Sequence, residues 1–144
     1  MGKLAIPPSG NVYIDTSCLI HTVARLPDYY PILSALWRAA KAGTAIVISN
    51  ELAVLECLVG PLKTGNAGVL ADYEAALSAR DLHLIPIDNA IPMSAARLRA
   101  VSNLRIPDAI HAATAISAGG ATLVTNDPHF DHVPGQKVQV LSRR

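Results

Sequence analysis

Short apolar segments alternate with helix-like segments along the whole chain, and few folds accommodate that alternation. The helix-like segments repeat apolar side chains with helical spacing, whereas the segments between them are apolar and β-prone. The predicted strands are residues 11–15, 44–48, 82–87, 121–125 and 137–141. Parallel strands that are joined by helices and buried on both faces have this pattern. We therefore predict an α/β protein of three layers, α/β/α, with a mainly parallel central sheet of about five strands.

The helix boundaries are predicted from capping residues and helix breakers. Asp28 and Asp88 are expected to cap the helices that follow them. Ser49 or Asn50 is expected to cap a helix that Gly60-Pro61 breaks. The helix after Asp88 is predicted to have an apolar side that consists of Met93, Ala96, Leu98 and Val101.

The composition is that of one folded domain. The chain has 144 residues, of which 51% are hydrophobic and 16% are charged, and this balance excludes disorder. No apolar run is long enough to span a bilayer, and the first residues lack the apolar stretch of a secretory signal. With two cysteines, a reduced, cytoplasmic chain is expected. We predict an irregular lead-in over residues 1–10 and a single domain over residues 11–144.

Carboxylates stand where a parallel sheet has its ligand sites, beyond the carboxyl ends of the strands. Asp15 ends the first predicted strand, and Asp127 follows the fourth. Asp108 lies in the first turn of the helix that Pro107 begins. Each also has an ordinary structural explanation, as a helix cap for Asp15, a turn for Asp127 and a favourable helix-dipole interaction for Asp108. The residues alone leave both interpretations open.

Glu56 is harder to explain structurally, because it lies inside the apolar segment of residues 52–59. A buried glutamate needs a partner, so Glu56 either marks a solvated stripe of the helix or points at a cation. Glu51 lies on another face of the same helix, in the first turn, where an acid is expected anyway. Glu56 is therefore the better functional candidate.

Four carboxylates that met at one place would repel one another unless a cation joined them. Ligand sets made of oxygen favour hard cations such as Mg²⁺ or Mn²⁺. Such an ion binds phosphate oxygens and activates water, so the set indicates hydrolysis of a phosphodiester. The structure decides whether Asp15, Glu56, Asp108 and Asp127 meet.

Other polar residues give weaker signals. His111, three residues after Asp108, is interpreted as a packed or hydrogen-bonded histidine near the site. Cys18 and Cys57 are interpreted as buried thiols, because an acidic environment disfavours the thiolate. Three cations, either phosphate contacts or part of a solvated helix face, are Arg97, Arg99 and Arg105.

Four segments together resemble a PIN domain, and more closely the VapC-type toxin ribonucleases of toxin–antitoxin pairs. They are Tyr13-Ile14-Asp15-Thr16-Ser17, the helical segment SNELAVLECLVGPL with Glu56, the run Ile106-Pro107-Asp108-Ala109-Ile110-His111-Ala112-Ala113-Thr114-Ala115, and Thr125-Asn126-Asp127. The acidic residues are 41, 52 and 19 positions apart, and the resemblance covers residues 11–141. The combination is more specific than any one segment.

The resemblance implies a metal-dependent endoribonuclease. It implies an acidic cluster for Mg²⁺ or Mn²⁺ made of Asp15, Glu56, Asp108 and Asp127. Thr16 and Asn126 match flanking positions that help to orient water, metal or carboxylates. The resemblance further implies a homodimer and a cognate VapB-like antitoxin, whose C-terminal segment lies across the active-site groove.

The chain also departs from the family pattern. Residues 1–10 precede the first strand, which in the family commonly begins almost at the initiator methionine. Pro128 stands where many relatives have a charged residue, and Asp131 is either an extra ligand or a bystander. These departures leave the acidic set intact and concern the choice of RNA.

Two other functions fit part of the pattern. Asp15 followed by Thr16 also suits a haloacid-dehalogenase-like phosphatase or phosphotransferase with Asp15 as the nucleophile. Against it, Ser17 occupies the place of that family's second aspartate. The other is a non-catalytic, PIN-like binding module, in which four carboxylates in one pocket would cost stability without a cation.

Overall fold

Five parallel strands form one sheet at the centre of the molecule. The computed structural model describes residues 10–119 and 121–141. The strands are β1 (Gly10–Ile14), β2 (Ala45–Asn50), β3 (Leu82–Ile85), β4 (Thr122–Thr125) and β5 (Val138–Val140). They lie in the order β3-β2-β1-β4-β5, and every neighbouring pair is parallel. The predicted α/β class with a parallel sheet is confirmed.

Helices cover both faces of the sheet. They are α1 (Thr16–Ala24), α2 (Tyr30–Ala42), α3 (Leu52–Thr64), α4 (Ala67–Leu77), α5 (Ala90–Ala100), α6 (Ile106–Ser117) and a 3₁₀ helix (Pro128–His132). Val12 and Ile14 belong to an apolar cluster shared with α1 to α4, whereas Tyr13 between them belongs to a cluster shared with α5 and α6. Successive strand residues point to opposite faces, so the protein has the three predicted layers.

The first strand begins at Gly10, one residue earlier than predicted. Gly10 has a φ of 109°, which favours glycine. Residues 1–9, 120 and 142–144 lie outside the described residues. The remainder of the predicted lead-in and the last residues of the predicted domain therefore stay predictions.

Some predicted helix caps are wrong. The residue that caps α2 is Tyr29 rather than Asp28. Ser49 and Asn50 belong to β2, where they are fully buried and pair with β3, so neither caps α3. Both residues stay in the strand rather than capping the helix, because a buried strand end without pairing would leave its backbone N–H and C=O groups without partners. Asp88, by contrast, accepts two backbone hydrogen bonds at the start of α5, as predicted.

Gly60-Pro61 does not break α3, contrary to the prediction. The helix continues to Thr64 and ends at Gly65, which has a φ of 71°. Pro61 removes one backbone N–H from the helix, but its ring is buried. Its carbonyl accepts from the N–H groups of Gly65 and Asn66. Ring burial and the closed last turn offset the missing hydrogen bond.

Of the four residues predicted for the apolar side of α5, only Leu98 packs against the core, where it is partly buried. Ile91 and Ala95, one turn apart, are buried. Met93 and Val101 are 57% and 70% exposed, and Ala96 is also exposed. Apolar residues occur on two sides of this helix, and its packing against α6 buries the Ile91 side.

The two central strands end side by side. β1 and β4 pair from Val12 with Thr122 to Ile14 with Val124. The amide of Asp15 continues this pairing and donates to the carbonyl of Val124 at 3.4 Å. The residues that follow β1 and β4 are therefore neighbours. In the described part of the chain, no helix combines the length and the apolar character needed to cross a membrane.

Candidate active site

A cleft of about 300 Å³ opens beyond the carboxyl ends of β1 and β4. All six residues that the sequence singles out lie in its wall, brought together from four separate segments. The lining consists of Asp15, Thr16, Ser17 and Ile20 after β1, Glu56 on α3, Arg105, Asp108 and His111 at or in α6, and Asn126 and Asp127 after β4. The position agrees with the rule that open parallel sheets bind ligands at this edge.

Asp15 lies at the base of the cleft and is 5% exposed. Its Oδ1 accepts from the Ser17 hydroxyl at 2.6 Å and from the Cys18 amide at 3.2 Å. Its Oδ2 accepts from the Thr125 hydroxyl at the end of β4. The structural and functional interpretations of Asp15 are therefore compatible, because the residue both caps α1 and lines the cleft.

Glu56 is held by two donors from other elements. The Thr16 hydroxyl donates to its Oε1 at 2.8 Å. Nε2 of His111 lies 2.8 Å from the same oxygen and 3.1 Å from the Thr16 hydroxyl. Behind the histidine, the hydroxyl of Tyr13 lies 2.7 Å from Nδ1. The apolar helix thus places one carboxylate at the cleft and pairs it there.

Burial and hydrogen bonding act in opposite directions on Glu56. Burial favours the protonated carboxyl and raises its pKa. The hydrogen bonds with His111 and Thr16, together with the charge of Arg105, lower the pKa by more. The net result is a pKa below the usual value, so Glu56 is an anion at neutral pH.

Asp108 and Asp127 complete the acidic wall. Burial raises the pKa of Asp108, the Arg105 guanidinium opposes that rise, and the charge of Asp127 adds to it. Nε of Arg105 lies 3.3 Å from Asp108 Oδ2. Asp127 caps the 3₁₀ helix, where its Oδ1 accepts from the backbone of His129 and lies 2.7 Å from Nδ1 of that residue. Each of these two carboxylates is therefore paired with an exposed base.

Asn126 connects the cleft to α1. Its Nδ2 lies 2.9 Å from Nε2 of His21, which stacks on Tyr29 with ring centroids 4.3 Å apart. Burial lowers the pKa of His21, although the charges of Asp15 and Asp28 oppose the shift. His21 is therefore neutral at pH 7 and suits a hydrogen bond with the amide.

The cysteines are not nucleophiles in this fold. Cys18 and Cys57 are buried free thiols, as predicted. Burial raises the pKa of Cys57 to about 12, and the charge of Glu56 adds to the rise. Burial also raises the pKa of Cys18, next to Asp15. Both side chains stay protonated at neutral pH.

Sequence reasoning did not assign functional roles to Tyr13 and Thr125. Both are fully buried strand residues whose hydroxyls bond to groups of the cleft. The available signal was their position, since each stands within two residues of an aspartate at a strand end. The prediction for His111 agrees with the structure, which packs and hydrogen-bonds it in the cleft wall.

The donor chemistry of the cleft fits a hard divalent cation, because its four carboxylates supply oxygen ligands. With the side chains as they lie, no group of three or more His, Cys, Asp or Glu within the described ranges could hold a metal ion. Arg105 and His129 occupy oxygens of Asp108 and Asp127, but their side chains are 80% and 75% exposed.

The family model for the PIN domain matches residues 12–136. The chain therefore belongs to the PIN-domain family. No curated protein sequence matches the chain significantly.

Solved structures of toxin–antitoxin complexes share the fold. A chain of VapBC2 from Rickettsia felis, bound to a DNA fragment from its promoter, aligns with a TM-score of 0.73 and 19% identity, over 92% of this chain and 99% of that chain. A chain of a toxin–antitoxin complex from Klebsiella pneumoniae aligns at 0.64 with 23% identity, over 92% and 99%. A chain of DNA-bound VapBC from Salmonella typhimurium aligns at 0.65 with 17% identity, over 92% and 98%.

Proposed function

We propose that this protein is a metal-dependent endoribonuclease that hydrolyses RNA phosphodiester bonds in the cleft. The observation that carries the proposal is the meeting of four carboxylates, with Thr16 and Asn126, in one cleft of a PIN-family fold. The sequence pattern alone points to the same six residues. The haloacid-dehalogenase-like and non-catalytic alternatives have no comparable support.

The proposed cation is Mg²⁺ or Mn²⁺, and its ligands would come from Asp15, Glu56, Asp108 and Asp127. When bound, such an ion polarises a phosphate and activates a water molecule. The protein's own residues orient the carboxylates. Thr125 and Ser17 orient Asp15, and Thr16 and His111 orient Glu56, so that ligand oxygens are fixed before substrate arrives.

The charge distribution supports a polyanionic substrate. Of the 11 acidic residues, four line the cleft, which leaves 12 Lys and Arg side chains against the other seven acids. Arg105 stands at the cleft with its side chain 80% exposed, where it can leave Asp108 for a phosphate. Electrostatic attraction of RNA to such a surface would weaken with salt.

We further propose that the protein is the toxin of a toxin–antitoxin pair, with a VapB-like antitoxin and a homodimeric state. The support is the fold of the solved complexes, whose chains are covered almost completely by this protein. An antitoxin segment across the cleft would block RNA without altering the acidic residues. We expect addition of the cognate antitoxin to stop cleavage.

The test is RNA cleavage by the purified chain, freed of any partner that copurifies. End-labelled structured RNAs are incubated with Mg²⁺, Mn²⁺ or EDTA. We expect discrete cuts that need the metal and that disappear in Asp15→Asn and Asp108→Asn, because each change removes a charged ligand. Asp72→Asn, an exposed acid on α4, is the matched control and should cut like the unaltered chain. Cleavage that persists in EDTA and in both cleft variants would refute the proposal.

A further inference from the structure

Tyr13, His111 and Glu56 form a chain of hydrogen bonds that runs from the buried sheet to the cleft. We propose that this series of hydrogen bonds positions Glu56 for cation binding. In it, His111 is a positioning residue that donates from Nε2, and Tyr13 sets the tautomer of the His111 ring. The inference rests on the proposed function, in which Glu56 is a ligand. It assigns to His111 and Tyr13 a role that the acidic set alone does not include.

The contact with Glu56 sets the direction of the hydrogen bond from His111, and the proposal assigns the direction of the bond with Tyr13. Nε2 of His111 faces Glu56 Oε1 at 2.8 Å, and an unprotonated Nε2 would oppose one lone pair to another. Nε2 therefore carries a proton and donates to Glu56. In the tautomer that we propose, Nδ1 carries no proton and accepts from the Tyr13 hydroxyl, which lies 2.7 Å away. Burial raises the pKa of Tyr13 strongly, so its hydroxyl keeps the proton that it donates.

The surroundings favour positioning over simple packing. His111 is 2% exposed and Tyr13 is 0% exposed, and burial of such polar groups is costly unless each is paired. His111 is followed on α6 by Ala112 and Ala113, which are buried in the core, so an apolar residue at this place would satisfy packing alone. The ring instead contacts β1 through Tyr13 and α3 through Glu56, with an edge-to-face arrangement of the two rings at 5.8 Å.

The hydrogen bonds to Glu56 all involve the same carboxylate oxygen. Thr16 and His111 both donate to Oε1, and neither bond uses Oε2. Two donors on one oxygen restrict rotation of the carboxylate, whose side chain is 28% exposed. A fixed carboxylate binds a cation without first losing rotamer freedom, which is the ordinary effect of residues behind a ligand.

The first arm of the test reads the tautomer in the metal-free protein. Nitrogen-15 NMR of the histidine ring should show His111 with its proton on Nε2 and Nδ1 as an acceptor. In Tyr13→Phe, which keeps the ring but removes the hydroxyl, the Nδ1 resonance should lose its hydrogen-bond shift. A proton found on Nδ1 alone in the unaltered protein would overturn the inference.

The second arm measures Mn²⁺ binding by electron paramagnetic resonance, without RNA. His111→Leu removes the donor, and we expect Mn²⁺ affinity to fall about tenfold to a hundredfold. His111→Gln places an amide donor near the Nε2 position and should recover most of that affinity. Thr22→Val, which removes a hydrogen bond to Trp37 elsewhere on α1, is the control for lost stability and should bind Mn²⁺ normally.

The outcomes separate the inference from the function on which it rests. Equal Mn²⁺ affinity in His111→Leu and the unaltered chain would overturn the positioning role while leaving the nuclease proposal intact. Weak Mn²⁺ binding by His111→Leu, His111→Gln and Thr22→Val alike would also overturn it, because the loss of affinity would then follow a loss of stability. Failure of the unaltered chain to bind Mn²⁺ would overturn the proposed function itself, and the role of His111 with it.

Discussion

Asp15 stabilises the fold with the same carboxylate that lines the cleft. Its Oδ1 caps α1 through the Cys18 amide, and its Oδ2 bonds to Thr125 of β4. Asparagine is as good a helix cap as aspartate, whereas alanine at a cap costs about 0.5–2 kcal/mol. Asp15→Asn is therefore the variant that removes charge from the cleft while retaining most of the structural role.

His21 makes the stability of the protein depend on pH. Its pKa is lowered from 6.5, chiefly because burial disfavours the charged ring. The unfolded chain therefore binds this proton at a higher pH than the folded chain. The stabilising contribution is complete above the unfolded pKa, and it is lost as the pH falls from there towards the folded pKa.

We expect His21→Gln to reduce the acid sensitivity of folding, because glutamine keeps a polar partner for Asn126 but does not titrate. Urea unfolding at pH 7.5 and pH 5.5 measures the difference. The free energy of unfolding should fall more on acidification in the unaltered chain than in the variant. An identical fall in both would show that His21 is not responsible, and NMR titration of its ring protons gives an independent value of the pKa.

At the scale of elements, packing decides what local patterns leave ambiguous. Apolar residues lie on two sides of α5, and its contact with α6 buries Ile91 rather than Met93. The continuation of α3 through Pro61 has the same origin, since burial of the ring offsets a missing hydrogen bond. Rules based on periodicity and on helix breakers describe an isolated helix. They therefore predict neither the buried face of α5 nor the continuation of α3 through Pro61.

The two faces of α5 should respond differently to truncation. Ile91→Ala removes a side chain that is 4% exposed, and we expect a loss of about 2–5 kcal/mol of unfolding free energy. Met93→Ala removes one that is 57% exposed and should change stability by about 0.5 kcal/mol or less. Thermal or urea unfolding of the two variants checks the assignment. A larger loss at Met93 would mean that α5 docks by the face that its sequence pattern suggested.

At the scale of the whole molecule, the order of strands and helices and the acidic positions are readable from the sequence. Parallel strands place Asp15 and Asp127 at one edge, and Glu56 is conspicuous because it interrupts an apolar helix. The partners of these carboxylates are not readable in the same way. Thr125 reaches Asp15 only through the register of β1 with β4, and a threonine in a strand is otherwise an ordinary residue.

A cleft of four carboxylates should also couple the stability of the whole fold to divalent cations. Carboxylates this close repel one another, and the charge of Asp127 adds to the rise that burial causes in the pKa of Asp108. A cation that binds only the folded chain adds RT ln(1 + [M]/Kd), which is about 2.7 kcal/mol at a hundred times Kd. We therefore expect Mn²⁺ and Mg²⁺ to raise the Tm, EDTA to reverse the rise, and Asp108→Asn to reduce it. Sodium chloride at matched ionic strength controls for screening. A rise of equal size in Asp108→Asn would place the binding elsewhere and would leave the carboxylates of the cleft without the cation that we propose for them.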